Sequence, residues 1–200
     1  MRGRSFGSRI ARTAGNPAEA SEGQALAAKA GVACRTVDGR LLSSNGRERT
    51  YEIACKDGFG WLVVQDKEER VAAYDCLAID ASTKGERRCM LPANADQTGG
   101  LQALADKART GCKVDDGQWL GTGGSPPISR YEAVCTGGGG YIFDTPAPGS
   151  KADMAATSCK DAEAFGMKCT LPGALKAKGR SNTARGYPQV EKIRLCLDDF

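Results

Sequence analysis

The chain has 200 residues and a mass of 21.0 kDa, with nine cysteines, no histidine and a formal net charge of +4. The missing histidine excludes Ser-His-Asp and Cys-His nucleophile systems, imidazole metal ligands and c-type haem attachment. The hydrophobic fraction is 40% but the aromatic fraction only 6%, so a core is thin in large side chains. The longest compact apolar run, Trp61 to Val64, is far below the roughly 18–20 residues of a membrane span.

In chain order, residues 1–23 form a basic N-terminal extension carrying Arg2, Arg4, Arg9 and Arg12, with no acid before Glu19. It has no apolar core of a secretory signal, and its Arg/Ser-rich, acid-poor composition resembles a transit peptide. Three readings stay open: a signal outside this sequence, another export route, or a basic arm used for binding. The extension is expected to end near Asn16-Pro17. From Gln24, Leu26, Ala27, Ala30 and Ala33 recur at helical spacing and predict a short amphipathic helix ending near Cys34. Two alternating runs, around Leu42 and from Tyr51 to Cys55, joined through Ser43 to Arg49, predict a β-hairpin. A Gly-x-Gly-aromatic step then opens a third strand, Trp61 to Gln65. The stretch from Cys76 to Cys89 reads as a loop followed by a last short strand.

This order then repeats. Gln24-Ala25-Leu26-Ala27, Lys29-Ala30 and Cys34 match Gln102-Ala103-Leu104-Ala105, Lys107-Ala108 and Cys112. Asp38-Gly39 and Leu42 match Asp116-Gly117 and Leu120; Tyr51-Glu52 and Cys55 match Tyr131-Glu132 and Cys135. Gly58, Gly60 and Trp61 match Gly138, Gly140 and Tyr141, and Cys89 with Leu91-Pro92 matches Cys169 with Leu171-Pro172. Cys76 corresponds to Cys159. A second helix over Leu101 to Ala108, a hairpin whose loop is Gly121 to Ser129, and a strand from Tyr141 to Phe143 follow. The fold class is therefore α+β: two tandem disulfide-stapled modules, each a short helix plus a small antiparallel sheet. The modules are residues 24–97 and 98–176, followed by a basic tail, 177–200.

Four cysteines per module, with no Cys-x-x-Cys anywhere, read as a disulfide framework in preference to structural zinc. Hairpin geometry favours Cys34–Cys55, Cys76–Cys89, Cys112–Cys135 and Cys159–Cys169, leaving Cys196 odd. A shifted scheme, Cys55–Cys76, Cys89–Cys112, Cys135–Cys159 and Cys169–Cys196, would tie neighbouring repeats together and leave Cys34 odd. Either points to a periplasmic or extracellular location. An odd Cys196 is a candidate for an intermolecular disulfide. The tail is either the start of a third copy or a final strand over Val190 to Leu195.

Both modules are electrically balanced; the excess charge sits in residues 1–23, with four Arg against two Glu, and in residues 177–200, with five basic against three acidic residues. The aromatics lie inside the neutral modules, which argues against a nucleic-acid face. The basic ends, with Trp61 and Tyr141, are the candidate partner contacts. Glu52 and Glu132 are the candidate acids of a carboxylate-dependent hydrolase. The plainer reading places each tyrosine in the core and each glutamate in solvent. Asp-Gly reads as a turn before calcium, and Gly137 to Gly140 lacks the Gly-Lys-Ser/Thr ending of a phosphate loop. No catalytic residue, metal ligand or cofactor site is assigned.

The pattern Tyr51-Glu52-x-x-Cys55-x-x-Gly58-x-Gly60-Trp61, followed by two cysteines and Leu91-Pro92, resembles a unit found in tandem in uncharacterised exported proteobacterial proteins. The resemblance covers about residues 24–176. It implies the repeated architecture and export, with no assigned activity and no catalytic residue to carry over. The expected function is a non-enzymatic extracytoplasmic binding or structural protein, such as an accessory subunit of a larger assembly. A His-free hydrolase of cell-wall glycan and an inhibitor-like module are the alternatives.

Overall fold

The computed structural model describes residues 15–176. Helix α1 (Pro17–Lys29) is followed by strands β1 (Thr36–Ser44), β2 (Glu48–Cys55), β3 (Trp61–Asp66) and β4 (Val71–Asp75) and helix α2 (Cys76–Ser82). The second module repeats this as α3 (Thr98–Lys107), β5 (Val114–Gly123), β6 (Ile128–Cys135), β7 (Gly140–Pro146), β8 (Ala155–Ser158) and α4 (Cys159–Ala162). Each sheet is a four-stranded antiparallel meander, β1-β2-β3-β4 and β5-β6-β7-β8. The register repeats too: Arg40 lies opposite Glu52 and Gln118 opposite Glu132.

Several elements differ from the sequence reading, and the fourth strand of each sheet, β4 or β8, comes before Cys76 or Cys159 and not after it. Helix α1 begins seven residues before Gln24, inside the supposed extension, because Asn16 caps Ala18 N–H and Pro17 takes the first turn. Cys76 to Ser82 is helical because Asp75 accepts from Ala78 N–H at 2.8 Å, and no strand precedes Cys89. The second hairpin's loop is shorter than expected, since β5 runs to Gly123 and β6 starts at Ile128.

Each sheet has a helix on one face and the chain approaching Leu-Pro on the other. On the helix face of module 1, Tyr51, Ile53 and Val63 pack against Leu26 and Ala27. The glutamine retained in both helices ties helix to sheet. Gln24 Oε1 accepts from Thr36 N–H and Gln102 Oε1 from Val114 N–H, at 3.1 and 2.8 Å. The Asp-Gly pairs are not turns but lie inside β1 and β5, beside register shifts. Glycine is needed there because a Cβ on Gly39 would meet Ala20 of α1, and one on Gly117 would meet Leu101 of α3.

The modules join head to tail. Phe59 stacks on Tyr131 with ring centroids 5.1 Å apart, Leu77 enters the cluster of Leu101, Ala105 and Phe143, and Tyr131 Oη donates to Asp75 Oδ2 at 2.8 Å. Burial raises the Asp75 carboxyl above its ordinary value, against the cap and tyrosine bonds that lower it. Burial, with the neighbouring Asp75, also holds the Tyr131 phenol well above its usual range.

Gly100 makes this joint possible, since a Cβ there would run into the Phe59 ring. Gly100→Ala is expected to cost about 1–3 kcal/mol by overpacking. Gly99→Ala, one residue away with open space around it, should gain up to about 1 kcal/mol of helix propensity. Urea denaturation of both variants checks the pair, and equal effects would contradict the joint.

Candidate functional site

Among the positions that both copies share, Glu52 and Glu132 are the candidate acids of a carboxylate-dependent hydrolase. They do not face solvent. Both are 0% exposed and flanked by buried strand positions, so the expected tyrosine-in, glutamate-out arrangement is wrong. Tyr51 points to α1 and Glu52 to the opposite face, which is also covered. The cover is the chain that runs from the second disulfide of each module into Leu-Pro.

Glu52 Oε1 accepts from the N–H groups of Met90 and Leu91 at 2.6 and 2.7 Å, and from Asn94 Nδ2 at 3.0 Å. Its Oε2 accepts from Arg40 Nε and Nη2 at 3.1 and 2.9 Å. In module 2, Glu132 Oε1 accepts from the N–H groups of Thr170 and Leu171 at 2.8 and 2.9 Å. Its Oε2 accepts from Gln118 Nε2 and Thr170 Oγ1 at 2.8 and 3.1 Å. Each carboxylate thus replaces the strand partner that the Leu-Pro segment lacks, and fastens that segment to the middle of the sheet. Both oxygens of each are occupied, so neither is presented to a substrate.

The glycines serve the same closure. A Cβ on Gly60 would strike the Asn94 side chain that reaches Glu52, and one on Gly140 would crowd Cys159 Sγ and Ala133 O. Gly137, Gly138 and Gly139 form the β6–β7 turn with positive φ, which accounts for that glycine run without a phosphate.

The disulfides are Cys34–Cys55, Cys76–Cys89, Cys112–Cys135 and Cys159–Cys169, two within each module. Among the described residues, one group has metal-ligand proximity: Glu132 with Cys159 and Cys169. Its two sulfurs are bonded to each other at 1.98 Å and its carboxylate is saturated, so its donors do not suit an ion. Trp61 and Tyr141 occupy equivalent, half-buried places against the two cores; Tyr141 lies beside Phe143 and its hydroxyl reaches Thr110 O at 3.4 Å. Arg2, Arg4, Arg9, Arg12 and Cys196 lie outside the described residues, as does the tail.

Where the copies differ is more informative than where they agree. The outer face of the module 1 sheet, opposite α1, carries a half-open cleft of about 490 Å³. Leu42, Leu62, Val64, Tyr74, Ile79 and Met90 give it an apolar lining. Tyr74 is 49% and Leu42 40% exposed. Thr50 and Val64, paired across β2 and β3 on this face, correspond to Arg130 and Asp144 in module 2. There the guanidinium makes two hydrogen bonds to the carboxylate, at 2.6 and 2.9 Å. Sequence comparison of the two copies contained this signal, but only the register showed that the two replacements form a pair.

No helix among the described residues is long and apolar enough to cross a membrane. Compared with protein-family models, curated proteins and solved structures, the chain finds no match.

Proposed function

We propose that this is a non-enzymatic binding or structural protein of an extracytoplasmic compartment, periplasmic or extracellular, acting as an accessory subunit of a larger assembly. The observation that carries the reading is the state of Glu52 and Glu132. The glutamates of the two Tyr-Glu pairs are fully buried and saturated by hydrogen bonds, which supports the reading that duplication has preserved them as parts of a scaffold. Four disulfides fit an oxidising compartment, and the resemblance to exported tandem-repeat proteins points the same way. The basic ends supply the contact with a partner, and Cys196 is available to make it covalent.

The competing reading, a carboxylate glycosidase, needs one acid with a raised pKa and a second one facing it across a bound sugar. The test is incubation with a panel of cell-wall glycans. The expected result is no turnover above buffer. Turnover that disappears in Glu52→Gln or Glu132→Gln, with the variants still folded, overturns the proposal.

A further inference from the structure

We infer that the surface by which the modules meet accepts one partner only, and that the two outer ends of the pair are closed to a second copy of this chain. Module 2 receives module 1 on its helix face, around the Tyr131 hydroxyl, which donates to Asp75 Oδ2 at 2.8 Å beside the stacked Phe59 ring. The residues around that hydroxyl are small. They are Gly100, whose Cβ would strike the Phe59 ring, with Ser129 and Thr145 beside the phenol.

Module 1 has the same helix face, built on Tyr51, and fills it itself. Glu22, Arg49 and Gln65 stand where module 2 has Gly100, Ser129 and Thr145. Arg49 Nη1 pairs with Glu22 Oε1 and lies 3.4 Å from Tyr51 Oη, and Nη2 donates to Gln65 Oε1 at 2.7 Å. The guanidinium carbon stands 5.9 Å from the Tyr51 ring centroid. The Tyr51 hydroxyl, followed by Arg49, holds the Glu22 carboxyl below its ordinary value against the effect of burial, so Glu22 serves Tyr51 as Asp75 serves Tyr131. Tyr51 is 1% exposed without a neighbouring module, because this polar latch lies across it. The latch itself faces water, with Glu22 and Arg49 each nearly half exposed, as the outer face of a terminal repeat requires.

The other end is closed differently. The residues that module 1 inserts, Phe59, Asp75 and Leu77, correspond in module 2 to Gly139, Ser158 and Lys160, which offer no ring, no carboxylate and no branched apolar side chain. Gly139 lies at a φ of 81° in the β6–β7 turn and donates to Gly173 O at 3.0 Å. Ser158 Oγ is engaged in the cap of α4, accepting from Asp161 N–H at 3.1 Å. A copy approaching head to tail therefore meets a charged latch at one end and no inserting residues at the other. Stacking of copies would be heterologous and open-ended, the geometry that produces filaments. These replacements confine it to a single joint within the chain.

The test is analytical ultracentrifugation of the full chain, alkylated without reduction, with the latch moved from one module to the other. Glu22→Gly/Arg49→Ser/Gln65→Thr opens the module 1 face, and Gly100→Glu/Ser129→Arg/Thr145→Gln closes the module 2 face. Phe59, Asp75 and Leu77 of one copy can then dock only on the Tyr51 face of the next. The unmodified chain is expected to stay monomeric as concentration rises, and the exchanged chain to form head-to-tail species that Leu77→Asp abolishes. Should the exchanged chain not fold, Glu22→Gly/Arg49→Ser leaves the joint intact. It should make Tyr51 nitration severalfold faster and leave Tyr131 nitration unchanged. A folded exchanged chain that stays monomeric overturns the inference, as does Tyr51 nitration that the double replacement leaves unchanged. So does association of the unmodified chain that Arg49→Glu abolishes, since a copy would then be docked on the latch.

Discussion

Glu52→Ala is expected to be the most damaging single substitution in module 1, at about 3–5 kcal/mol, the usual cost of removing one partner of a buried ion pair. Truncation strands two main-chain N–H groups at Met90 and Leu91, the Asn94 amide and the Arg40 guanidinium. It also frees the Leu-Pro segment from the sheet. Glu52→Gln keeps the volume and one acceptor, but turns an NH2 group toward a donor. It should cost less, about 1–3 kcal/mol. Glu132→Ala should fall below Glu52→Ala, because Gln118 stands where Arg40 does and no cation is left unpaired. Urea titration with unchanged m-values checks this ranking. A loss below 1 kcal/mol for Glu52→Ala, or retention of stability with loss of some activity, would return the residue to the candidates for catalysis.

The second large effect is covalent. In the chain-entropy description, opening Cys112–Cys135, with a sequence separation of 23, costs about 3.4 kcal/mol. Opening Cys159–Cys169, with a separation of 10, costs about 2.7 kcal/mol. The first loss should be the larger by more than this difference. Cys112 and Cys135 are both buried in the core cluster with Leu101, Tyr131 and Phe143, whereas of the other pair Cys159 is buried and Cys169 only partly so, in a smaller cluster; Cys112→Ala/Cys135→Ala therefore removes more buried sulfur. A module of about 80 residues with few aromatic side chains has little area with which to compensate. Thermal melting of the two double-alanine variants gives the order directly, and unchanged melting of either would show that its disulfide does not hold the fold.

Much of this architecture could be read from the residues because it is written twice. The repeated Gln, Asp-Gly, Tyr-Glu and Gly-x-Gly-aromatic positions fix helix, hairpin and third strand, and a chance pattern does not recur in order. The helix starts were harder. Asn16-Pro17 was visible as a boundary, but whether it closed the extension or opened α1 depended on Asn16 capping Ala18. Asp75 posed the same problem for α2, which lacks any helical repeat long enough to recognise. The glutamates misled for a different reason. Alternation along a strand predicts one wet face, and neither face of these sheets is wet in its middle. The second cover is an irregular segment whose placement depends on the glutamate itself. The charge exchange of Thr50 and Val64 for Arg130 and Asp144 was present in the aligned copies, yet a pair becomes visible only with the β2–β3 and β6–β7 registers.

Two separately stapled modules are the basis of this architecture, and disulfide mapping of the unreduced chain tests them most directly. Proteolysis with cysteines blocked beforehand should release four linked peptide pairs: Cys34 with Cys55, Cys76 with Cys89, Cys112 with Cys135, and Cys159 with Cys169. Recovery of Cys55 with Cys76 or Cys89 with Cys112, or alkylation of all nine cysteines without reduction, would contradict it.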